Sequence, residues 1–436
     1  MKKYKIRIVL SIFVASLLII ALLSYNLITS KSLHFLILIA VIVINVSAML
    51  VGAFSYKKLK LKIALLEDDD ILYSELIEKL PLEVDEIKIK EKIEGRTCLI
   101  TGGGGTIGSE LSTQVAKFNP KRLIIIDIYE NNAYHIQQKL LREFAELNLD
   151  IEISSIRDFD KMDRLFKKYN PDIIFHAAAH KHVPMMENSP DEAIKNNIGG
   201  TLNIAKLAEK YKAEEFVLIS TDKAVNPTSV MGATKYCSEM IVGAFASRAN
   251  RTKFLTVRFG NVIGSSGSVI PLFKEQILNG GPLTLTHPDV ERYFMSISEA
   301  VQLVLQSTIY DEGTFILDMG KPVRIADLAN DMMVLFGYKP NSGHKPNFGH
   351  NPNEAIKIKY IGLRAGEKLH EEFIGQDEEL TAVGHNRIYK VAGNANQHNK
   401  NQYDELMLEI AKLIQSAEEG APSSELKEKL YRIIEK

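Results

Sequence analysis

A chain of 436 residues with 46% hydrophobic side chains is long enough for one large or two ordinary domains with full cores. Its 53 basic against 54 acidic side chains give no reason to expect a nucleic-acid partner. Two cysteines, Cys98 and Cys237, are too few for a disulfide framework or a zinc site, and read as small buried residues of a reducing compartment.

The first elements are two apolar stretches, Ile8 to Ile28 and Leu33 to Phe54. Each runs for about 20 residues, enough for a helix to cross roughly 30 Å of hydrocarbon. Lys2, Lys3, Lys5 and Arg7 precede the first, and Lys57, Lys58, Lys60 and Lys62 follow the second, while the connection carries Lys31 alone. The positive-inside preference therefore places both ends in the cytoplasm. The expectation is a two-helix transmembrane hairpin over residues 1–56, with the lipid bilayer as a partner. A cleaved signal peptide fits the first stretch less well, since it is long, lacks a clear cleavage site and is followed at once by a second span. Residues 57–93 are charged, with Leu65, Leu66, Leu72, Leu76 and Leu80 at helix-like intervals, and predict a helical linker.

From Arg96 onward strands and helices alternate. Strands are predicted at Cys98 to Ile100, Arg122 to Ile126 (ending at Asp127), Ile151 to Ser155, Asp172 to His176, Phe216 to Ser220 and Phe254 to Val257, with helices such as Ile107 to Phe118 and Ser229 to Arg248 between them. This spacing predicts an α/β fold, a Rossmann-like doubly wound parallel sheet over residues 94–260. Beyond Gly260 the rhythm becomes irregular. A smaller C-terminal substrate-binding domain is expected over residues 261–395, its chain crossing back to the sheet. Residues 396–436 read as two helices split near Gly420, Ala421 and Pro422. Asn341 to Asn353 is polar and reads as a solvated loop rather than a metal site built on His344 and His350.

Gly102, Gly105 and Gly108 follow the first strand, and Thr106 and Ile107 open a helix. Glycines at 103, 105 and 108 fit a second nucleotide-binding spacing. Missing Cβ atoms permit a tight turn and bring backbone N–H groups to a pyrophosphate at a helix N-terminus. Asp127 at the end of the second strand is placed to accept hydrogen bonds from a ribose diol and to repel a 2′-phosphate, which favours NAD over NADP. Asp158 is placed either to reach an adenine amine or to cap the helix that follows.

Thr221, Asp222 and Lys223 fall at the carboxyl end of the fifth strand, where such sheets present their chemistry. Met231 and Lys235 lie one helical turn apart on the next helix and share a face, so Lys235 is a candidate for the nicotinamide ribose. A thioether has no useful basicity, so Met231 reads as a packing residue standing where a dehydrogenase tyrosine would be.

Several runs carry a family resemblance: Thr101-Gly102-Gly103 through Gly108, His176-Ala177-Ala178-Ala179-His180-Lys181-His182-Val183-Pro184, Asn197-x-x-Gly200-Thr201, and Ser220-Thr221-Asp222-Lys223-Ala224-Val225-Asn226-Pro227 with Met231-Gly232-Ala233-Thr234-Lys235. Arg258-Phe259-Gly260-Asn261-Val262, Arg292-Tyr293-Phe294-Met295 and Arg364-Ala365-Gly366-Glu367-Lys368 extend it. Over about residues 90–380 the chain resembles the membrane-bound UDP-N-acetylglucosamine 4,6-dehydratases of bacterial polysaccharide and glycoprotein synthesis, extended short-chain dehydrogenase/reductases. It departs from larger relatives in having two apolar spans rather than about four, and from soluble relatives in having Met231 for tyrosine.

The resemblance implies a lyase that uses NAD on UDP-N-acetylglucosamine and retains configuration at C5. It implies a multi-pass protein of the bacterial inner membrane with its catalytic part in the cytoplasm. It makes Lys223 the base at C5 and Asp222 the acid at the C6 hydroxyl, with Thr221, Asp222 or a water taking the C4 hydroxyl proton. A neutral Lys223 is then required, and burial, Lys235 and the nicotinamide cation are expected to push its pKa down. Ala177 is expected at the cofactor, and His180 and Lys181 near the nicotinamide or sugar. Asn197 and Asn261 are expected to bind the nucleotide sugar or to order the site loops. Arg292 and Arg364 are the expected diphosphate clamps, and Glu367 is either substrate-binding or structural, as is Glu187. No metal is expected, and a homo-oligomer paired through helices such as that of Lys235 is. A nucleotide-sugar epimerase and an inactive membrane-anchored nucleotide-binding protein are the competing readings. The first has less use for an acid–base run, and the second for intact Asp222, Lys223 and Lys235.

Overall fold

Seven strands alternate their apolar side chains between two faces, and that period of two builds the centre of the protein. They are β1 (Thr97–Thr101), β2 (Arg122–Asp127), β3 (Leu149–Ile153), β4 (Ile173–His176), β5 (Glu215–Ile219), β6 (Lys253–Arg258) and β7 (Gly313–Leu317). All pair in parallel. Two more, β8 (Glu379–His385) and β9 (Ile388–Ala392), form a hairpin that adds antiparallel to β7. The order across the sheet is β8-β9-β7-β6-β5-β4-β1-β2-β3. The strand order reverses between β1 and β4, so a crevice opens at their carboxyl ends, the position where such sheets bind ligands.

The computed structural model describes residue 76 and residues 81–435, apart from 249–250, 266, 339–355, 377 and 393–399. The expected membrane hairpin, most of the linker and the polar loop 341–353 lie outside the described residues. Among the described residues no helix is long and apolar enough to cross a membrane. The end of the linker is a helix, Glu86–Ile93, that buries Ile89 and Ile93.

Leu99, Ile124, Ile174, Phe216 and Phe254 point to one face of the sheet, where α3 (Phe159–Tyr169), α4 (Gly200–Lys210) and α5 (Val230–Arg248) cover them. Cys98, Ile100, Ile125, Phe175, Val217 and Leu255 point to the other, under α1 (Thr106–Lys117), α2 (Glu130–Glu143) and α6 (Ile297–Ser307). Both cysteines are buried free thiols. Burial raises the thiol pKa of both, that of Cys237 to about 12, so both stay protonated packing residues. A third core under the irregular part packs helices Val269–Leu278 and Ile325–Leu335 against the strand pair Leu283–Leu285 and Ile358–Tyr360.

The third strand is Leu149–Ile153 rather than Ile151 to Ser155, and the Ser154 N–H donates the last bond of the β2–β3 ladder, to the Asp127 carbonyl, before the chain turns toward the next helix. One face of the Lys235 helix is covered from within the chain. The C-terminal helices α7 (Lys400–Glu418) and α8 (Ser423–Ile434), split at Gly420, bury Tyr403, Ile410, Leu413, Leu426 and Leu430 in the same core as Val230, Ile241 and Phe245.

Candidate active site

The nucleotide turn is dictated by backbone crowding. Gly102 takes a left-handed φ of 67°, and a Cβ on it would lie 2.7 Å from the Ala178 Cα. A Cβ on Gly108 would lie 2.1 Å from the Gly102 carbonyl oxygen. At Gly103 the obstacle is a side-chain methyl of Ile125, and at Gly105 a Cβ would lie 3.2 Å from the Gly102 carbonyl oxygen, so the hard backbone limits fall at Gly102 and Gly108. Gly105 precedes α1 in extended conformation with no side-chain cap, so the helix N-terminus presents its backbone N–H groups to the crevice. Thr106 and Ile107 form its first turn.

The buried Asp127 carboxylate stands across the turn, accepting from the Gly104 and Tyr129 N–H groups at 2.8 Å each. Asp158 caps α3 by accepting from the Lys161 N–H at 2.9 Å, the capping alternative of its two readings. Ala177 follows β4 and donates its N–H to the Thr101 carbonyl. Beside it, the buried His176 ring bridges the Thr101 and Thr201 hydroxyls at 2.8 and 3.0 Å. Burial, with the Lys235 charge added, lowers its pKa to about 3, so His176 is a neutral strut. A glycine cradle that any Cβ would fill, an open helix end and a carboxylate at the second strand fit a dinucleotide.

Thr221 caps the short turn Asp222–Ala224 after β5. Asp222 is fully buried, and its Oδ1 accepts from the Thr221 hydroxyl and the Lys223 ammonium, both at 2.8 Å. Its Oδ2 is buried and meets no hydrogen-bond donor of the described residues. Lys223 also donates to Asn261 Oδ1 at 3.2 Å and lies 3.3 Å from Glu371 Oε1.

This cluster overturns the expected direction at Lys223. Burial pulls its pKa down, but the Asp222 and Glu371 charges outweigh that, and the net shift is upward. Lys235 is instead the depressed lysine. It is buried, donates to the Ile219 carbonyl at 2.7 Å, and burial lowers its pKa to about 8 against the opposing charge of Glu239. Met231, one turn away, packs in the core.

Above the run lies a cleft of about 250 Å³ lined in part by Lys223, Asn261, Arg292, Arg364, Glu367 and Glu371. Arg292 lines the cleft with its guanidinium engaged within the chain. Its forks donate to the Glu291, Leu369 and Lys368 carbonyls and to Glu367 Oε1, so they hold the 367–371 segment in place. Glu367 also accepts from the Thr286 hydroxyl at 3.0 Å. Arg364 is exposed at the rim of the cleft.

Asn197 does not line the cleft. It sits in a π-helical turn, Ile194–Gly199, and clamps the His180 main chain through both N–H and carbonyl at 2.8 and 3.0 Å, which is the loop-ordering alternative. His180 is thereby fixed, and Lys181 follows it exposed on the loop. Glu187 is structural, since it accepts from the Val230 N–H and pairs with Lys427.

Sequence reasoning missed two features. Glu371 joins the Lys223 cluster from a distant segment, with no signal beyond its place just after the Arg364 motif. Arg258, fully buried, pairs with both Glu239 and Glu378 through both arms of its guanidinium. It ties β6 to α5 and to the strand hairpin behind the site.

The chain is similar to a probable polysaccharide biosynthesis protein, EpsC, of Bacillus subtilis, at 46% identity over 71% of this chain and 50% of that protein. It is similar to a capsular polysaccharide biosynthesis protein, CapD, of Staphylococcus aureus, at 43% identity over 76% and 53%. It thus spans about half the length of these two relatives. A UDP-glucose 4-epimerase of Rickettsia canadensis is 33% identical over 68% of this chain and 82% of its own. Among solved structures, Pen from Bacillus thuringiensis superposes with a TM-score of 0.60 at 30% identity, over 73% of this chain and 98% of that one. The sequence pattern of the family described as polysaccharide biosynthesis protein matches residues 98–393, which carry the parallel sheet, and the chain belongs to that family.

Proposed function

We propose that this protein is an NAD-dependent 4,6-dehydratase of UDP-N-acetylglucosamine, forming a 4-keto-6-deoxy sugar nucleotide for surface polysaccharide or glycoprotein synthesis. The observation that carries the reading is the Asp222–Lys223 pair at 2.8 Å, an acid and a base in contact, of which Lys223 lines the cleft.

When bound, the dinucleotide supplies reversible oxidation at C4 and reduction at C6. Gly102, Gly105, Gly108 and the N-terminus of α1 hold its pyrophosphate, Asp127 its adenosine ribose, and Lys235 its nicotinamide ribose. The chain supplies the proton traffic. In the ligand-free cluster Lys223 is an ammonium beside Asp222. Moving that shared proton from Nζ to Oδ1 gives a free amine and a carboxylic acid, the two forms the elimination requires. A bound sugar that excludes water favours this neutral pair over the ionic one.

Lys223 then removes the proton at C5 while Asp222 protonates the departing C6 hydroxyl, so water leaves and the pair returns to its ionic form. Asp222 already carries the proton from Lys223, so the C4 hydroxyl proton leaves through a water beside Thr221, which is hydrogen-bonded to Asp222, and one proton from solvent restores the pair after Lys223 has reprotonated C5. Because the same Lys223 removes and returns the C5 proton from one face, configuration there is retained. Arg364 faces the diphosphate. The apolar stretches 8–28 and 33–54 hold the enzyme at the bacterial inner membrane with this site in the cytoplasm.

The second reading is a nucleotide-sugar epimerase, favoured by the 33% identity to a named 4-epimerase. Incubation with UDP-N-acetylglucosamine and mass spectrometry separates the two. The dehydratase yields a product lighter by one water. An unchanged mass with altered stereochemistry means an epimerase, and no conversion at all rejects both.

A further inference from the structure

Two carboxylates face Lys223, and the proposed chemistry uses one of them. The other, Glu371, is 8% exposed. Its Oε1 lies 3.3 Å from Lys223 Nζ and 3.6 Å from Arg292 Nε. Its Oε2 is buried and has no hydrogen-bond partner among the described residues, although Glu371 lines the cleft. A buried acceptor oxygen left unpaired costs about 1–3 kcal/mol, more when charged, so such an atom beside a cleft is placed for a donor that arrives with a ligand. The neighbouring charges do not supply one. Lys368 is turned to Glu372 and the Val225 carbonyl, and Arg292 spends its other nitrogens on carbonyls and Glu367.

We propose that Glu371 is a sugar-reading and positioning residue of the cleft: its free oxygen accepts a hydrogen bond from a hydroxyl or amide N–H of the bound sugar, while its other oxygen holds the Lys223 ammonium and the Arg292 guanidinium. The inference rests on the nucleotide-sugar reading above and deepens it. It separates two duties at the base. Asp222 exchanges a proton with Lys223, and Glu371 fixes where the ammonium stands and checks the sugar beside it.

Glu371→Gln tests it. The variant amide turns its oxygen to the two cations and its NH2 to the sugar, so the acceptor is lost at constant volume. UDP-N-acetylglucosamine binding, measured by calorimetry on the full chain, is expected to weaken about tenfold or more, with UDP binding unchanged. UDP binding also reports that the variant is folded. In parallel, trace acetylation of Lys223, read by mass spectrometry against pH, is expected to move its midpoint about one pH unit lower, because one of two facing carboxylates has lost its charge and Asp222 and Arg292 remain. Should the glutamine variant not fold, Glu371→Asp keeps the charge one methylene short. Its labelling midpoint stays with the unmodified protein while sugar-nucleotide binding falls.

Unaltered sugar-nucleotide affinity in a folded variant overturns the proposal, as does an unmoved Lys223 midpoint in Glu371→Gln. If the unmodified protein binds UDP-N-acetylglucosamine no better than UDP, the nucleotide-sugar reading itself fails. The labelling result then decides by itself whether Glu371 positions Lys223.

Discussion

The nucleotide turn and the acid–base cluster lie at the carboxyl ends of one parallel sheet, but they are built in opposite ways. The turn comes from one short segment, residues 101–108, and its geometry is set by backbone against backbone, as the close approach of Gly108 to the Gly102 carbonyl shows. The cluster is gathered from three separated segments: Asp222 and Lys223 after β5, Asn261 after β6, and Glu371 from the irregular part. A locally coded site is governed by steric limits. A gathered one is governed by charge, and its properties depend on which groups the fold delivers. Lys223 is the demonstration, because burial would lower its pKa and the Asp222 and Glu371 charges together turn the net shift upward.

The largest test of this contrast is Lys223→Ala. Loss of a general base costs about 10²–10⁴-fold in rate. Dehydration should fall by that factor and solvent deuterium should no longer enter C5, while NAD content stays that of the unmodified protein because the turn is independent. Normal deuterium entry would remove Lys223 from the role of base.

The second test asks which lysine the fold holds at low pKa. Lys235 is lowered to about 8 in the folded state from an ordinary 10.5, so between these values the unfolded chain binds the extra proton. The Lys235 contribution to stability therefore rises with pH from about 8 to about 10.5, by ~3 kcal/mol at most, and is absent below about 8. The buried thiols of Cys98 and Cys237 act in the opposite direction at high pH, so chemical denaturation at several pH values should show this rise as the difference between the unmodified protein and Lys235→Met. An identical pH dependence in the two proteins would assign the low pKa elsewhere.

Gly108→Ala probes the turn. The new methyl must displace the Gly102 carbonyl, a backbone shift costing about 1–3 kcal/mol. A lower melting temperature and loss of NAD from the purified protein are expected, with the Lys223 labelling midpoint unmoved. A shift in that midpoint would show that turn and cluster are coupled.

The smallest effect belongs to Asp158→Ala. Removal of a helix cap costs about 1 kcal/mol. NAD affinity should stay within twofold, and a tenfold loss would show that Asp158 also reaches the adenine.

Much of this was legible along the chain because it is local. The strand rhythm from Cys98 to Val257, the glycine turn, Asp127 at the end of β2, the run Thr221-Asp222-Lys223 and the break at Gly420 are each coded within a few residues, by side-chain period or by the absence of a Cβ. The residue order alone thus sets the sheet, the glycine turn at its crevice and the adjacency of Asp222 and Lys223. The tertiary structure decided what each polar group faces. It turned Arg292 inward to hold the 367–371 segment, made Asn197 a clamp on His180, and covered α5 with α7 and α8. It also gave the low pKa to Lys235 and brought Glu371 to Lys223. These outcomes escape a linear reading because charge and burial act through space. A residue's partners more than a hundred positions away are fixed by how the elements pack, and not by the residues that flank it.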